Sequence, residues 1–267
     1  PAADRQRRAL ALGNHTHQSS VVDAASTIPM AKSQQDALLA WCAQRGITWS
    51  QHLQLVSTED EGGGAVTTAH LPHLSTVISL PRKVALSADT NALNAALKKD
   101  VHALALSAIK AKAAPEFAPW VALWPNFTEG TWSLSAAERE ALSWCAELRE
   151  LDEQEDAAAA EAYEEIVKQD GTAAPTPEEW RWGLGLVSSR AADVVINGEV
   201  RSVVPPLIDM FNHRSKGECN LALHFDRETD CIVAKVVQSE GIAAGAQLTI
   251  SYGEKDNAQL LHGYGFA

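Results

Sequence analysis

The sequence predicts an α+β domain in which a β-rich core is interrupted by a mostly α-helical insertion. Three observations carry this. Short β-rich runs broken by Gly and Pro occupy the chain to residue 88, capped alanine-rich helical text follows to residue 190, and β-rich runs with a hairpin signal resume from residue 191. At 267 residues, with 46% hydrophobic and 21% charged side chains, the chain is long enough for one large or two modest domains and too apolar to be disordered throughout. The expected division is a flexible N-terminal tail over 1–32, a first core part over 33–88, a helical insertion over 89–190 and a second core part over 191–267.

Taken in order, residues 1–29 hold Arg5, Arg7 and Arg8, no Glu and several Ser and Thr. They read as a tail, or alternatively as a transit remnant, since no arginine-bearing amphipathic helix is sustained. A short amphipathic helix is expected over Gln35 to Arg45, with Leu38, Leu39, Trp41 and Cys42 on its apolar side and Gly46 as its stop. Strands follow over 53–57, 65–69 and 76–80, with Gly62, Gly63 and Gly64 as a turn between them. In the insertion, Ser135 with Glu138 and Thr176 with Glu179 have the spacing of capping boxes, so two helix starts are marked. Beyond it, Val194–Ile196 and Val200–Val204 flank Asn197-Gly198, a strong hairpin signal. A second hairpin pairs 220–225 with 231–237, and 248–252 is a last β-rich run. Gly183-Leu-Gly185 lies inside a helical apolar pattern without a preceding strand, which excludes it as a nucleotide loop.

Charge narrows the partners. Lys and Arg number 22 against 34 Asp and Glu, a net charge of −12, which argues against a surface built to neutralise nucleic-acid phosphates and favours a basic protein partner. Between Glu138 and Glu165 stand eleven carboxylates and two arginines, so most of the net charge falls on the insertion, read as a solvated helical face rather than a docking strip. No apolar run approaches the roughly 18 residues needed to span a bilayer, so no membrane association is expected. Cys42, Cys145, Cys219 and Cys231 lie far apart without zinc-ligand spacing. A disulfide framework and a metal site are therefore not expected, and a reducing compartment is. P-loop, GxSxG and HExxH motifs do not occur.

The text richest in chemistry is 204–213, Val-Pro-Pro-Leu-Ile-Asp-Met-Phe-Asn-His, together with Tyr252-Gly253 and the closing Asn257-x-x-Leu-Leu-x-x-Tyr264-Gly265-Phe266. Upstream stand Glu61-Gly62-Gly63-Gly64-Ala65-Val66 and Ser189-Arg190-Ala191. In this order and spacing, from about residue 33 to 266, the sequence resembles the SET-domain protein methyltransferases, within them the branch typified by the Rubisco large-subunit lysine methyltransferase. The resemblance implies a SET β-core with a pseudo-knot, split by a helical insertion, and S-adenosylmethionine as methyl donor with S-adenosylhomocysteine as product. It implies that Glu61, Gly62, Gly63 and Gly64 form a loop against the cofactor, that Asn212 and His213 contact it, and that Tyr252 is the catalytic tyrosine at the transferring methyl. Tyr264 and Phe266 are the expected aromatic closure of a lysine channel, with a core role for Phe266 as the alternative. Arg190 and Asp209 match positions that bound the substrate cleft or the cofactor site, a structural Arg–Asp pair being the alternative.

The implied activity is transfer of methyl to a lysine of a non-histone protein, by a monomer acting on a lysine-rich or basic substrate. The implied compartment is the cytoplasm or nucleus, or a plastid if residues 1–29 are a transit remnant. Two other readings stand beside it. One is actin-type histidine methylation, disfavoured by Ile208 before the Asp and by Ala191 after the Arg. The other is a non-catalytic SET-fold binding module, disfavoured by the joint presence of Asn212, His213 and Tyr252. This sequence departs from the family at Gly245-Ala246-Gln247, expected to be a surface change, and at Ala192, where the loss of an aromatic is expected to widen the cleft. It also ends directly after Tyr-Gly-Phe, where relatives usually continue into a helical substrate-binding domain, so that domain is expected to be absent.

Overall fold

A computed structural model describes residues 27–58, 62–88, 97, 99–126 and 130–266. Glu61 and the tail to residue 26 lie outside the described residues. Strand pairing begins within the stretch expected to be tail, because β1 (Thr27–Pro29) pairs antiparallel with β3 (Leu53–Thr58), which pairs in turn with β4 (Gly62–Thr67). Helix α1 (Lys32–Gln44) buries Leu38, Trp41 and Cys42 and ends before Gly46, whose φ of +76° reverses the chain at no side-chain cost.

The triple glycine is not a turn. Gly62, Gly63 and Gly64 are the first residues of β4, in register with Thr58, Ser57 and Val56. Their use is close approach rather than unusual φ, because a β-carbon on Gly63 would stand 3.0 Å from the Met210 methyl and one on Gly64 3.0 Å from Asn212 Nδ2.

The split core is visible in the pairing. A four-stranded sheet runs β10 (Leu221–Asp226), β11 (Cys231–Val236), β5 (Thr76–Pro81), β2 (Thr48–Trp49), so strands from either side of the insertion meet in one sheet at the antiparallel β11–β5 pair. β5 and β11 are its inner strands, and both are buried on two faces, with Val77, Ile78, Leu80, Ile232 and Ala234 fully enclosed. Each such aliphatic side chain stabilises the fold by roughly 1.5–3 kcal/mol, which explains the near-continuous apolar runs. A second seam joins β6 (Leu86–Ser87) to β8 (Glu199–Val204) and β8 to β7 (Ala192–Ile196). The β7–β8 turn has positive φ at both Asn197 and Gly198, the geometry its sequence signals.

The insertion holds α2 (Asp100–Ala113), α3 (Ala118–Val121), α4 (Ala136–Ala141), α5 (Ala146–Asp170) and α6 (Pro177–Arg190). Both expected capping boxes form, at Ser135 with Glu138 and Thr176 with Glu179. Helix α6 packs against α2 through Gly183, where a β-carbon would stand 2.9 Å from Ile109, so this glycine serves helix packing. The acidic stretch is less uniformly solvated than expected. Glu147, Glu150, Glu153, Glu161 and Glu164 are exposed, but Asp152 is buried, Glu155 pairs with Lys99 at 2.9 Å and Asp156 with Arg139 at 2.5 Å. The last helix, α7 (Asn257–Tyr264), has a capping box of its own, Asp256 with Gln259, and turns through Gly265 at φ +78°. No described helix is long and apolar enough to cross a membrane.

Candidate active site

The site is organised by two short strands, β9 (Asn212–His213) and β12 (Thr249–Ile250), which pair in parallel. This pairing brings the Asn-His motif beside Tyr252, 39 residues further along the chain. The Tyr252 backbone N–H donates to His213 Nδ1 at 3.1 Å, and its hydroxyl donates to the Phe211 carbonyl at 2.7 Å. His213 is thereby an acceptor at Nδ1, which requires the neutral ring with its proton on Nε2. Burial, with the nearby Arg214 and Lys255 charges, lowers its pKa and keeps it so.

An aromatic cluster extends from this point. Tyr252 stacks on Tyr264 with centroids 4.6 Å apart and planes 23° apart, Tyr264 meets Phe266 at 5.8 Å, and His213 meets Tyr252 at 5.0 Å. Tyr264 is buried, and burial, with Tyr252 and Asp193 nearby, raises its pKa well above that of a free phenol. Phe266 is 38% exposed and so forms the rim of the cluster rather than core.

Arg190 and Asp209 face the same place. The Asp209 side chain is wholly buried, with Arg190 Nη1 3.5 Å from its Oδ2, and that nitrogen also donates to the Asp209 carbonyl at 3.1 Å. Burial raises the Asp209 pKa against the opposing pull of Arg190 and of Trp120, whose indole N–H donates to Oδ2 at 3.0 Å. The two alternatives drawn from the sequence coincide: the residues form a pair, and both line a cavity of about 10 Å³ with Ser189, Ala191, Ala192, Pro205, Ile208, Phe211, Ile250 and Tyr252. That volume holds about one water. A larger cleft of about 140 Å³, lined by Arg82, Asn197, Glu199 and Arg201 among others, lies on the β7–β8 hairpin and touches none of the motif residues. The motif residues meet at the smaller cavity, which is the candidate site.

On the other side of β9 lies β4. Gly64 abuts Asn212 and the Gln247 side chain, whose nitrogen would be 3.3 Å from an added β-carbon. Gln247 is not on the surface as expected. It is 8% exposed, its carbonyl accepts from Asn220 Nδ2 at 2.7 Å, and its Oε1 accepts from Arg214 Nη2 at 3.2 Å. Arg214, Asn220, Gln247 and Trp120 were not legible as site residues, because each is brought there by pairing or packing distant in sequence. Gly63 and Gly64 lie against Met210 and Asn212, next to His213, whereas Gly62 pairs with Thr58 further along β4, and Arg190, Asp209, Tyr252, Tyr264 and Phe266 gather around the cavity and its rim. Glu61 lies outside the described residues. Among the described residues no group of three or more His, Cys, Asp or Glu side chains could hold a metal ion.

No family model matches the chain. The SET domain of LSMT bound to lysine and AdoHcy superposes with a TM-score of 0.72 at 18% identity, covering 89% of this chain and 58% of that one. Rubisco LSMT bound to AdoMet superposes at 0.64, again at 18% identity, covering 89% and 57%. The chain thus has the α+β architecture of a SET domain. It is also 32% identical over 101 residues to the ribosomal lysine N-methyltransferase set10 of Schizosaccharomyces pombe (strain 972 / ATCC 24843), across 34% of this chain and 18% of that protein. The chain spans somewhat over half the length of the solved relatives and under a fifth of the curated one.

Proposed function

We propose that this chain is a SET-class protein-lysine N-methyltransferase that uses S-adenosylmethionine and acts on a non-histone protein. The observation that carries the reading is the convergence of Tyr252, His213 and Asn212 at the parallel β9–β12 pair, beside a cavity edged by Arg190 and Asp209. The SET domain of LSMT bound to lysine, and a ribosomal lysine methyltransferase matching part of this chain, support lysine as the acceptor.

The residues present fit the methyl donor. Gly63 lays bare backbone next to Met210 and Gly64 next to Asn212, where a β-carbon would fill the space, and Asn212, His213 and Arg214 supply polar and cationic groups at one edge. When bound, S-adenosylmethionine supplies a sulfonium methyl for in-line displacement by a lysine amine. The chain's own work is to admit that amine in its neutral form, its proton left to solvent, and to align it. A free lysine has a pKa of about 10.4; the apolar walls of Pro205, Ile208, Phe211 and Ile250 and the Arg190 charge disfavour the ammonium, and the Asp209 carboxylate that would favour it is engaged by Arg190 and Trp120. Alignment in such an enclosure is worth effective molarities of roughly 10⁵ M or more. A Tyr252 hydroxyl that donates to Phe211 presents its oxygen as an acceptor toward the amine and methyl. Tyr264 and Phe266 cover the aliphatic stem of the lysine.

Thermal melting with S-adenosylhomocysteine tests the cofactor half, because a ligand bound only by the native state at 100 times its Kd adds about 2.7 kcal/mol. An unmoved melt sinks it. Labelled methyl transfer to a cell extract, followed by peptide mass analysis, tests the acceptor, and label on histidine in place of lysine overturns that half.

A further inference from the structure

Asp209 sits in the short 3-10 turn Ile208–Met210, which delivers the chain to Phe211 and Asn212. Local backbone bonds close it, from Asp209 N–H to the Pro205 carbonyl at 2.9 Å and from Phe211 N–H to the Ile208 carbonyl at 3.0 Å, but its entry is strained. Leu207, which opens it, has φ +71° and ψ −37°, a conformation that a residue with a β-carbon keeps only where its surroundings over-determine it. The surroundings here are the core that encloses Leu207, Ile208 and Phe211, and two polar anchors from the insertion. Arg190, at the end of α6, holds the Asp209 carbonyl and carboxylate, and Trp120, in α3, donates its indole N–H to the same carboxylate oxygen at 3.0 Å.

Trp120 is fully buried, so packing alone would account for its ring. Packing does not account for where its N–H points. Trp132, Trp180 and Trp182 donate to Ser188, Ala159 and Pro125, all within the insertion, whereas Trp120 reaches across to a core carboxylate beside the cavity. Resting on the methyl-transfer reading above, we propose that Trp120 is a positioning residue of the transfer site. Through Asp209 it fixes the 207–211 turn, and with it the Phe211 carbonyl on which the Tyr252 hydroxyl is held. The insertion is then part of the apparatus that aims Tyr252, as well as a wall of the cleft.

Trp120→Phe removes the N–H and keeps an aromatic ring. The expected result is a fall in kcat of about tenfold, the size of a lost hydrogen bond to a charged group, with S-adenosylhomocysteine affinity within about twofold of wild type. Backbone amide exchange over residues 207–213 should quicken by about tenfold. Because Trp120 acts through Asp209, adding Trp120→Phe to Asp209→Asn should cost little beyond Asp209→Asn alone. Trp120→His, which restores a ring N–H, should recover more of the rate than Trp120→Phe. Trp182→Phe is the control for loss of a buried indole. The proposal is overturned if Trp120→Phe turns over within twofold of wild type, if Trp182→Phe loses as much, if the double variant is additive, or if Trp120→His is the slower of the two. Should wild type label no protein at all, the reading of the reaction falls. The exchange rate at 207–213 then decides the proposal by itself, and an unchanged rate in Trp120→Phe overturns it.

Discussion

At the residue scale the site turns on what single atoms are held against. Tyr252→Phe removes the donor to the Phe211 carbonyl and the oxygen directed at the cavity, while its ring can still stack on Tyr264 at the observed 4.6 Å. The expected outcome is a loss of at least about tenfold in kcat, a stability cost of about 1 kcal/mol for the undonated carbonyl, and little change in S-adenosylhomocysteine affinity. Methyl-transfer kinetics beside calorimetric titration check it, and equal turnover would remove Tyr252 from the chemistry. Gly64→Ala has the opposite signature. Its β-carbon would press on Asn212 and Gln247 at 3.0 and 3.3 Å, so cofactor affinity should weaken by about tenfold, with roughly 1–3 kcal/mol of destabilisation from overpacking; binding at wild-type strength would show that Asn212 can move aside freely. Tyr252, Asn212 and His213 were legible because they stand in short contiguous motifs. Gln247 was misread as surface because nothing in Gly245-Ala246-Gln247 reveals that Asn220 and β4 enclose it.

At the element scale the sequence marked α4 and α6 at their first residues, since capping boxes are local, and marked the β7–β8 hairpin by Asn197-Gly198. It did not mark β1, whose pairing partner lies beyond α1, nor the strand character of the triple glycine, which depends on the register of β3. It also passed over a tie between α5 and α7, in which the buried Asp152 carboxylate meets His262 Nδ1 at 2.7 Å and Thr131 Oγ1 at 2.6 Å. Burial opposes ionisation of Asp152, but the hydrogen bonds of His262 and Thr131 outweigh it and lower its pKa. A depressed carboxylate contributes stability above its unfolded pKa and loses it as pH falls through the folded one, so this contribution fails only below about pH 3.9. His102 in α2 acts in a higher window. Burial against Trp180, with Lys99 nearby, lowers its pKa to about 4. Its neutral form therefore stabilises the fold fully above about pH 6.5, and that stability is lost as pH drops toward 4, up to about 3 kcal/mol. Urea unfolding at pH 7.5, 5.5 and 4.5 should show this decline, and His102→Leu should flatten it. An identical slope in the variant would assign the acid sensitivity elsewhere.

At the scale of the whole molecule, two distant stretches of chain make one set of sheets, and the insertion between them carries most of the charge. Composition alone gave the sign of a partner but not its place. The structure sorts the carboxylates between Glu138 and Glu165 into one that is buried, Asp152, two that are paired with a base, Glu155 with Lys99 and Asp156 with Arg139, and exposed ones that include Glu147, Glu150, Glu153, Glu161 and Glu164 on α5. The exposed carboxylates on α5 act most strongly on a substrate from a distance. Their field reaches about 8 Å at 0.15 M salt and about 3 Å at 1 M, so it raises the encounter rate with a basic protein without touching the transfer step. If the substrate is lysine-rich, kcat/KM should fall roughly three- to tenfold between 0.05 and 0.5 M salt, while kcat at saturation stays within about twofold. Replacing those five glutamates by glutamine should abolish the salt dependence and leave kcat unchanged, because none of them lines the cavity beside Tyr252. A salt slope that survives the replacement would place the steering charge outside the insertion, and no slope at all would make recognition a matter of shape at the cleft.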